Sequence, residues 1–210
     1  MSGFPGRAKP VRGGFVLVEP DTGRPRKTIP FQFNPDTLTR TLQPQGIGNE
    51  PGDRLEALRL KGPPHETLKF DAEFDAADAA GKYPDGLHPV LSALELSMYP
   101  TVAQLREEDQ LAGQGTLEIA PVESALTVLV LGPNRVVPVR ITDFTVTEEE
   151  FDQALAPIRA KVSIGVRVLT VDDLGYRHKG GLLYLAYQSQ KERFAQPVDS
   201  ALGTLGVSSI

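Results

Sequence analysis

Two long segments of alternating polarity in the second half of the chain constrain its fold more than any other feature. In the segment 158–170, Ile, Ala and Val occupy every second position from 158 to 168, and Arg, Lys, Ser and Gly lie between them. A period of two over this length predicts a β-strand with one buried face. Residues 135–147 predict a second strand, and the ten residues at 148–157 are compatible with an antiparallel hairpin that carries an extended loop.

The predicted strand at 135–147 changes face part-way along. Its apolar side chains divide into Val137, Val139 and Ile141 on one face, followed by Phe144 and Val146 on the other. This change predicts a bulge or a strong local twist. Pro138 has no N–H to donate to a ladder, so we expect the start of this strand at an edge or an irregular position.

The length of these strands raises the question of what pairs with them. Thirteen residues at about 3.3 Å each span roughly 43 Å, close to the ~45 Å diameter of a globule of this size. A long open strand edge is a template for pairing with another chain. Two interpretations fit this pattern: the edge is used for assembly, or a monomeric barrel hides the hairpin by closing on itself.

The remaining elements predict a mainly β protein. Further strands are predicted at residues 14–18, 29–33, 37–42, 67–75 and 125–131. Apolar residues at helical spacing predict one inserted helix over 89–99 and a second helix over 181–194. The predicted fold class is therefore an antiparallel β-barrel or sandwich with one inserted helix and a C-terminal helix, and with long loops at 43–64 and 99–121.

Charge is distributed unevenly along the chain, whose net charge is −5. Six basic residues against two acidic ones give residues 1–30 a charge of +4, so the remaining 180 residues carry −9. An acidic body repels a phosphate backbone, so we expect no nucleic-acid partner. We predict a flexible basic arm at 1–13, one β domain at 14–195 and a polar C-terminal tail at 196–210.

Composition excludes several further classes of function. The chain has no Cys, so disulfides, thiolate metal sites and thiol nucleophiles are absent. Its apolar runs are far shorter than the roughly 18 residues that span a bilayer, and residues 1–10 contain no apolar signal segment. We therefore expect synthesis in the cytoplasm and no membrane partner.

Side chains suited to metal binding or catalysis do not form a known motif. His65, His88 and His178 have no second histidine at metal-ligand spacing, which favours surface or capping roles. Phosphate-binding loops, nucleophile elbows and zinc-protease signatures do not occur in the sequence. We expect no enzyme, no cofactor and no metal.

Three alternating acids carry the alternative hypothesis. Asp71, Glu73 and Asp75 share one face of the strand at 67–75, about 7 Å apart, a spacing that suits an acid–base pair or a hard-cation site. No apolar surroundings that would raise a carboxyl pKa accompany them in the sequence. A solvated polar face is therefore the favoured interpretation.

Several segments occur in an order that resembles one protein family. Residues 31–38 read F-Q-F-N-P-D-T-L, similar to the F-x-F-N-P-x-x-L opening of tube and baseplate-hub proteins of contractile injection systems, the phage-tail-like nanomachines. Residues 66–75 resemble the family's E-T-x-x-F-x-x-x-F-D strand, and residues 86–100 its G-x-x-P-x-L-x-x-L-x-x-x-x-x-P helix. The apolar strand at 126–131 and the hairpin at 136–168 look like its final barrel strands.

This resemblance covers roughly residues 14–195 and implies a structural, non-catalytic protein that assembles as a homohexameric ring. In such rings the strands of all protomers join one inner β-wall, between a spike protein and the inner tube. The resemblance thus implies a tube initiator or baseplate-hub adaptor in a phage-tail-like particle that can be released from the cell. The implied assembly interface comprises Phe31, Phe33, Asn34, Pro35, Val137, Val139, Ile141, Phe144, Arg159, Lys161, Ile164 and Val166.

One departure from the family bears on function. Many hub members carry a C-terminal LysM module that binds peptidoglycan, but only 15 residues follow Ala195, too few for that module. An ordinary tube subunit therefore stays open beside the adaptor, which the long loops favour. The alternative function is a monomeric β-barrel that binds or hydrolyses a small ligand through its acidic strand face.

Overall fold

Seven antiparallel strands form one sheet in the described part of the computed structural model, which comprises residues 11–20, 22–46, 59–77, 85–113, 124–196 and 202–207. The strands are β1 (Gly14–Val18), β2 (Pro25–Pro30), β3 (Leu38–Gln43), β4 (His65–Asp75), β5 (Leu126–Val130), β6 (Val136–Phe151) and β7 (Pro157–Val168). The helices are α1 (His88–Glu95), α2 (Val102–Gly113), α3 (Val171–Leu174) and α4 (Lys179–Ala195), followed by a 3₁₀ helix at Leu202–Leu205. The strand order is β2-β1-β5-β6-β7-β4-β3.

The sheet curls strongly without closing. Its end strands, β2 and β3, do not pair with each other. Phe15 on β1 and Phe70 on β4 are four strand spacings apart, roughly 19 Å in a flat sheet, yet their ring centroids are 6.4 Å apart. Phe31 contacts both rings, each at 5.5 Å. The mainly β prediction is therefore confirmed, in the form of an open, curled sheet rather than a closed barrel.

Two apolar cores pack against this sheet. The larger core lies on the face that curls inward and joins the alternating side chains of β4 and β7 to Leu91 and Leu94 of α1 and Tyr184 and Tyr187 of α4. The smaller core lies on the opposite face of β1 and β5 and includes Leu169, with Leu183 of α4 packed against it. β5 is buried on both faces, whereas the outer half of β6 is not.

The β6–β7 hairpin confirms the predicted antiparallel pair and its bulge. The register between the strands shifts between Ile141 and Asp143, and the extra residue restores the facing of the apolar side chains. Phe144 and Val146 consequently pack against the same core as Ile141, instead of on the opposite face. The hairpin is also longer than predicted, since β6 continues through Phe151 and leaves a loop of only five residues, 152–156.

Pro138 occupies the irregular position that its missing N–H requires. Its carbonyl accepts from Leu169 N at 2.9 Å, so its backbone faces the β7 side of the strand. The β6–β7 ladder begins one residue later, at the pair of Val139 with Val168. Pro138 lies opposite Leu169, one residue beyond the end of β7, so its missing N–H removes a bond only at the end of the β6–β7 ladder.

Several elements differ from the predictions, and α1 ends at Glu95 instead of residue 99. β2 spans Pro25–Pro30 instead of 29–33. The prediction placed its end too late because the apolar alternation of the sequence continues into the turn after Pro30. α2 lies within the segment 99–121, which we interpreted as a loop. This helix has no buried residue, and the sequence therefore lacks the apolar periodicity that would have predicted it. α3 is a single capped turn, too short for a helical period in the sequence to predict it. Most of the loop predicted at 43–64 lies outside the described residues.

Candidate assembly surface

The outer half of β6 has an open edge. β5 pairs with β6 only from Val136 to Val139, whereas β7 pairs with it as far as Phe151. Among the described residues, no strand lies against the other side of residues 140–151. Twelve residues at about 3.3 Å each make this edge roughly 40 Å long. We call residues 140–151 the β6 edge.

Backbone alternation shows which residues direct hydrogen-bonding groups into this open side. Ala76 N donates to Ile158 O at 2.8 Å, so the backbone groups of Ile158 face β4. Three residues on, those of Lys161 face β6, where Lys161 pairs with Thr147. The N–H and C=O groups of the next residue, Glu148, therefore point away from β7. A partner strand on the β6 edge would bond to groups of this set.

A second open edge lies at the other margin of the same ribbon of strands. β6, β7, β4 and β3 are consecutive in the sheet, and β3 pairs with β4 alone. β3 contains no proline and exposes Leu42 and its two threonines. The other end strand, β2, has Pro25 and Pro30 at its ends, which limits pairing along it. The four-stranded ribbon thus has one long and one short edge available.

The outward face of the ribbon carries a ladder of charged pairs. Lys161 Nζ lies 2.8 Å from Asp71 Oδ2, and Ser163 donates to Asp71 Oδ1 at 2.7 Å. Arg159 reaches Asp75 at 3.1 Å and Glu150 at 2.6 Å. β7 therefore supplies cations to acids on both of its neighbouring strands.

These contacts keep the charged groups ionised. The hydrogen bond from Lys161, followed by that from Ser163, holds the pKa of Asp71 below its ordinary value. Hydrogen bonding to Asp71 raises the pKa of Lys161, and that to Asp75 raises the pKa of Arg159. A general acid needs the opposite shift at its carboxyl group. The ladder thus has the chemistry of a stable polar surface.

The predicted interface residues fall into two groups. Five have buried side chains that no partner reaches, because they belong to the main core: Phe31, Val137, Val139, Ile164 and Val166. The other seven are at least partly accessible: Phe33, Asn34, Pro35, Ile141, Phe144, Arg159 and Lys161. Of the accessible group, Ile141 and Phe144 lie on the β6 edge, and Arg159 and Lys161 lie on the polar face.

The segment 31–35 fastens the end of β2 to the rest of the sheet. Gln32 mimics a strand partner, since its side chain donates to Asp75 O at 2.7 Å and accepts from Asp75 N at 3.0 Å. Asn34 accepts from Gly13 N at 2.8 Å and donates to Val11 O at 2.9 Å. The predicted role of this segment in fixing a turn agrees with these bonds. They also hold residues 11–13, within the predicted arm, against the domain; residues 1–10 lie outside the described part.

A buried carboxylate joins α4 to β4. Glu66 is 2% exposed and accepts from Tyr187 Oη at 2.9 Å and from Lys191 Nζ at 2.7 Å. Lys191 also lies 4.1 Å from the centroid of the Tyr187 ring. Sequence reasoning missed this cluster, although alternation along β4 places Glu66 on the same face as the buried Leu68. An acid in a core position of a period-two strand was the available signal.

The histidines occupy the surface and capping positions predicted for them. His65 and His88 are exposed at the first residues of β4 and α1. His178 caps α4, its Nδ1 accepting from Gly180 N at 3.1 Å. In the part of the chain that the structure describes, no three His, Asp or Glu side chains are placed to share a metal ion.

Comparison with known proteins assigns no family. No protein-family model matches this chain, and no curated protein matches it. Within the described ranges, no helix is both long enough and apolar enough to cross a bilayer.

Proposed function

We propose that this chain is a structural ring subunit, a tube initiator or baseplate-hub adaptor that joins a spike to the inner tube of a contractile injection system. The observation that carries the proposal is the open β6 edge, about 40 Å of unpaired strand. Monomeric proteins normally shorten, cover or interrupt such an edge. Here neither a proline nor a described covering element protects residues 140–151, and the only interruptions in the described part are three register shifts against β7.

The position of the second edge supports a closed ring of identical subunits. The β6 edge and β3 lie at opposite margins of one four-stranded ribbon. Pairing the β6 edge of one copy with β3 of the next is a heterologous contact, which closes into a ring when the rotation between copies divides a full turn. The six-fold order is the one that the family resemblance implies.

The two faces of the ribbon support a tube wall. One face is apolar and packs on the main core, so it faces away from any lumen. The other carries the pairs of Lys161 with Asp71 and Arg159 with Asp75, and it suits a water-filled channel. A ring closed through the two edges would line its lumen with six copies of this face.

The same ion pairs weigh against the alternative of a small-ligand or hydrolytic barrel. Two of its three acids, Asp71 and Asp75, are engaged by cations on β7. The sheet is also open, so it encloses no barrel interior. A cavity of about 250 Å³ lies beside Glu73 and Asp75, but Arg159 and Lys161, the cations that engage Asp75 and Asp71, also line it.

The decisive experiment interrupts the β6 edge without disturbing the β6–β7 ladder. Glu148→Pro removes an N–H that points away from β7, and Glu148→Gln keeps that N–H as the matched control. Negative-stain microscopy of the purified protein, alone and with its spike, should show six-fold rings for the parent and for Glu148→Gln. Glu148→Pro should give monomers with an unchanged circular dichroism spectrum. Rings that persist in Glu148→Pro, or a strictly monomeric parent under both conditions, would contradict the proposal.

A further inference from the structure

The connection from α1 to α2 and the first turns of α2 form an exposed apolar wall. Leu96, Tyr99 and Val102 are each at least 60% exposed, and Met98 and Leu105 are also exposed. α2 buries no residue, so no element in the described part of the chain covers this wall. Exposed apolar patches of this kind mark binding surfaces.

An open groove of about 660 Å³ borders the wall. The sheet contributes Leu17, Leu126 and Ile141 to its lining, and α2 contributes Gln104 and Glu108. An apolar floor with a few polar groups at its margin is the usual composition of a binding site. The groove and the wall together suit a short segment that carries an apolar side chain.

One face of α2 changes from apolar to acidic along the helix. Val102, Leu105 and Asp109 are three and four residues apart, so they share this face, and Glu108 lies beside Asp109. Among the described residues, no ion pair engages Glu107, Glu108 or Asp109. The segment that matches this face has an apolar side chain followed by basic ones.

The N-terminal arm has this composition. Its Phe4 is followed by Arg7 and Lys9, and the sequence has no acid before Glu19. Prolines at positions 5 and 10 and a glycine at position 6 disfavour a helix there, so an extended segment is expected.

The arm is long enough to reach the groove of its own copy. The described chain begins at Val11, whose carbonyl accepts from Asn34. Leu17, which lines the groove, is three residues beyond Gly14 along β1, a distance of about 10 Å. Seven residues separate Phe4 from Val11 and span up to about 23 Å when extended. The arm can therefore turn back past β1 to the groove.

The spacing of charged and apolar residues agrees between the arm and α2. Val102 and Asp109 are seven residues apart, about 10.5 Å along the helix axis. Phe4 and Arg7 are three residues apart, about 10 Å in an extended segment. Phe4 can therefore contact the apolar end of the helix face while Arg7 reaches its acidic end.

The two arginines that line the groove do not oppose this arrangement. Arg26 is already paired with Glu19 at 2.8 Å. Arg140 belongs to β6, whereas the acids belong to α2. A basic segment thus meets opposite charge when it lies along α2.

We propose that residues 4–9 of the arm bind along α2 of the same copy, with Phe4 against the apolar wall and Arg7 and Lys9 at Glu108 and Asp109. This contact goes beyond the proposed function, because it lies within one copy and uses neither the β6 edge nor β3. It makes the arm a cover for the apolar wall instead of a solvated extension.

Cross-linking within one chain tests the contact, because the sequence has no cysteine. Ala8→Cys is combined with Ala112→Cys, at an exposed position in the last turn of α2, and treated with a short bismaleimide. The matched control combines Ala8→Cys with Ala186→Cys. Ala186 is also exposed on a helix, one turn before Gln190, which donates to Asn134 in the turn after β5. That turn adjoins the end of β1 where the arm leaves the sheet, so both positions lie within reach of the arm.

The two cysteine pairs are compared in the Glu148→Pro background, in dilute protein, so that products form within one copy. Binding of the arm raises the effective concentration of one thiol at the other. We therefore expect cross-linking to be about tenfold faster for the Ala112 pair than for the Ala186 pair.

Substitutions in the arm and in α2 test the two parts of the contact. Phe4→Ser should bring the rate for the Ala112 pair to about that of the control, because it removes the apolar anchor. Glu108→Lys with Asp109→Lys should lower the rate about fivefold, and Arg7→Glu with Lys9→Glu in the same chain should restore it. Circular dichroism checks that each variant keeps the fold.

Each outcome decides for or against the arm contact. Equal rates for the two cysteine pairs would overturn it, as would a charge reversal without effect or a charge exchange that fails to restore the rate. Cross-linking at Ala112 that forms only between copies, in rings of the parent, would also overturn a contact within one copy. A parent that forms no rings but cross-links as expected would support the arm contact and contradict the ring.

Discussion

Lys191 offers the sharpest test of how α4 is held on the sheet. Lys191→Met keeps most of the side-chain volume but removes the cation from Glu66, whose side chain is 3% exposed, while that of Lys191 is 31% exposed. Removing one partner of a fully buried pair costs about 3–5 kcal/mol. We expect a smaller loss of about 2 kcal/mol in the free energy of unfolding, because Lys191 is partly solvated and because Tyr187 still donates to the carboxylate. The matched control is Lys161→Met on the solvated ladder, where the change should lie within experimental error.

The measurement is urea unfolding followed by circular dichroism in the Glu148→Pro background, so that assembly does not contribute to stability. Glu66→Gln in the Lys191→Met protein removes the orphaned charge and should recover part of the loss. A double-mutant cycle over the two positions should therefore show coupling of about 1 kcal/mol or more. An unchanged free energy of unfolding in Lys191→Met, or strict additivity in the cycle, would refute the reasoning.

Three further predictions follow from the helices and the polar contacts. In Gly181→Ala a Cβ would overlap the carbonyl oxygen of Gly175, so we expect a loss of about 1–3 kcal/mol by urea unfolding, and no loss would show that α4 shifts freely. His178→Ala removes the cap of α4 and should cost about 1 kcal/mol in the same assay, whereas His178→Asn should retain stability because Asn also caps. Burial raises the pKa of Asp173, but hydrogen bonds from the backbone N–H of Thr170 and from Arg167 lower it by more, so the pKa lies below its ordinary value. The stability due to Asp173 is therefore present above about pH 4 and is lost as pH falls through its folded-state pKa. The difference in free energy of unfolding between parent and Asp173→Asn should narrow as the pH falls below about 4, and a constant difference would contradict this sign.

Much of the sheet was predictable because alternation is a local signal. The side chains of β4 and β7 alternate over eleven and twelve residues, and every second one from Leu68 to Phe74 and from Ala160 to Val168 packs in the main core. The predicted hairpin and bulge follow from the same pattern. The acidic end of β6 was not predictable in this way, because three consecutive glutamates carry no alternation. Their strand conformation comes from the ladder with β7, which includes the contact of Arg159 with Glu150.

The sequence predicted only some features of the candidate assembly surface. The strands that carry it were predicted, but buried and accessible members of the predicted interface were not separated. Val137 and Ile141 belong to the same alternating run of β6, yet only Ile141 lies where β5 has ended. Leu155 carries no pattern at all, since its left-handed backbone is set by the loop bonds of Asp152.

The amino-acid order by itself determined the β class, the positions of the long strands, the absence of thiol chemistry and the polar character of one strand face. Only the tertiary structure decided which strand edges stay open, that the sheet curls without closing, and that Glu66 is enclosed by side chains 121 and 125 positions away. The physical reason is range. Alternation records how one strand divides its side chains between water and core, whereas open edges and buried charges depend on which distant strands and helices meet.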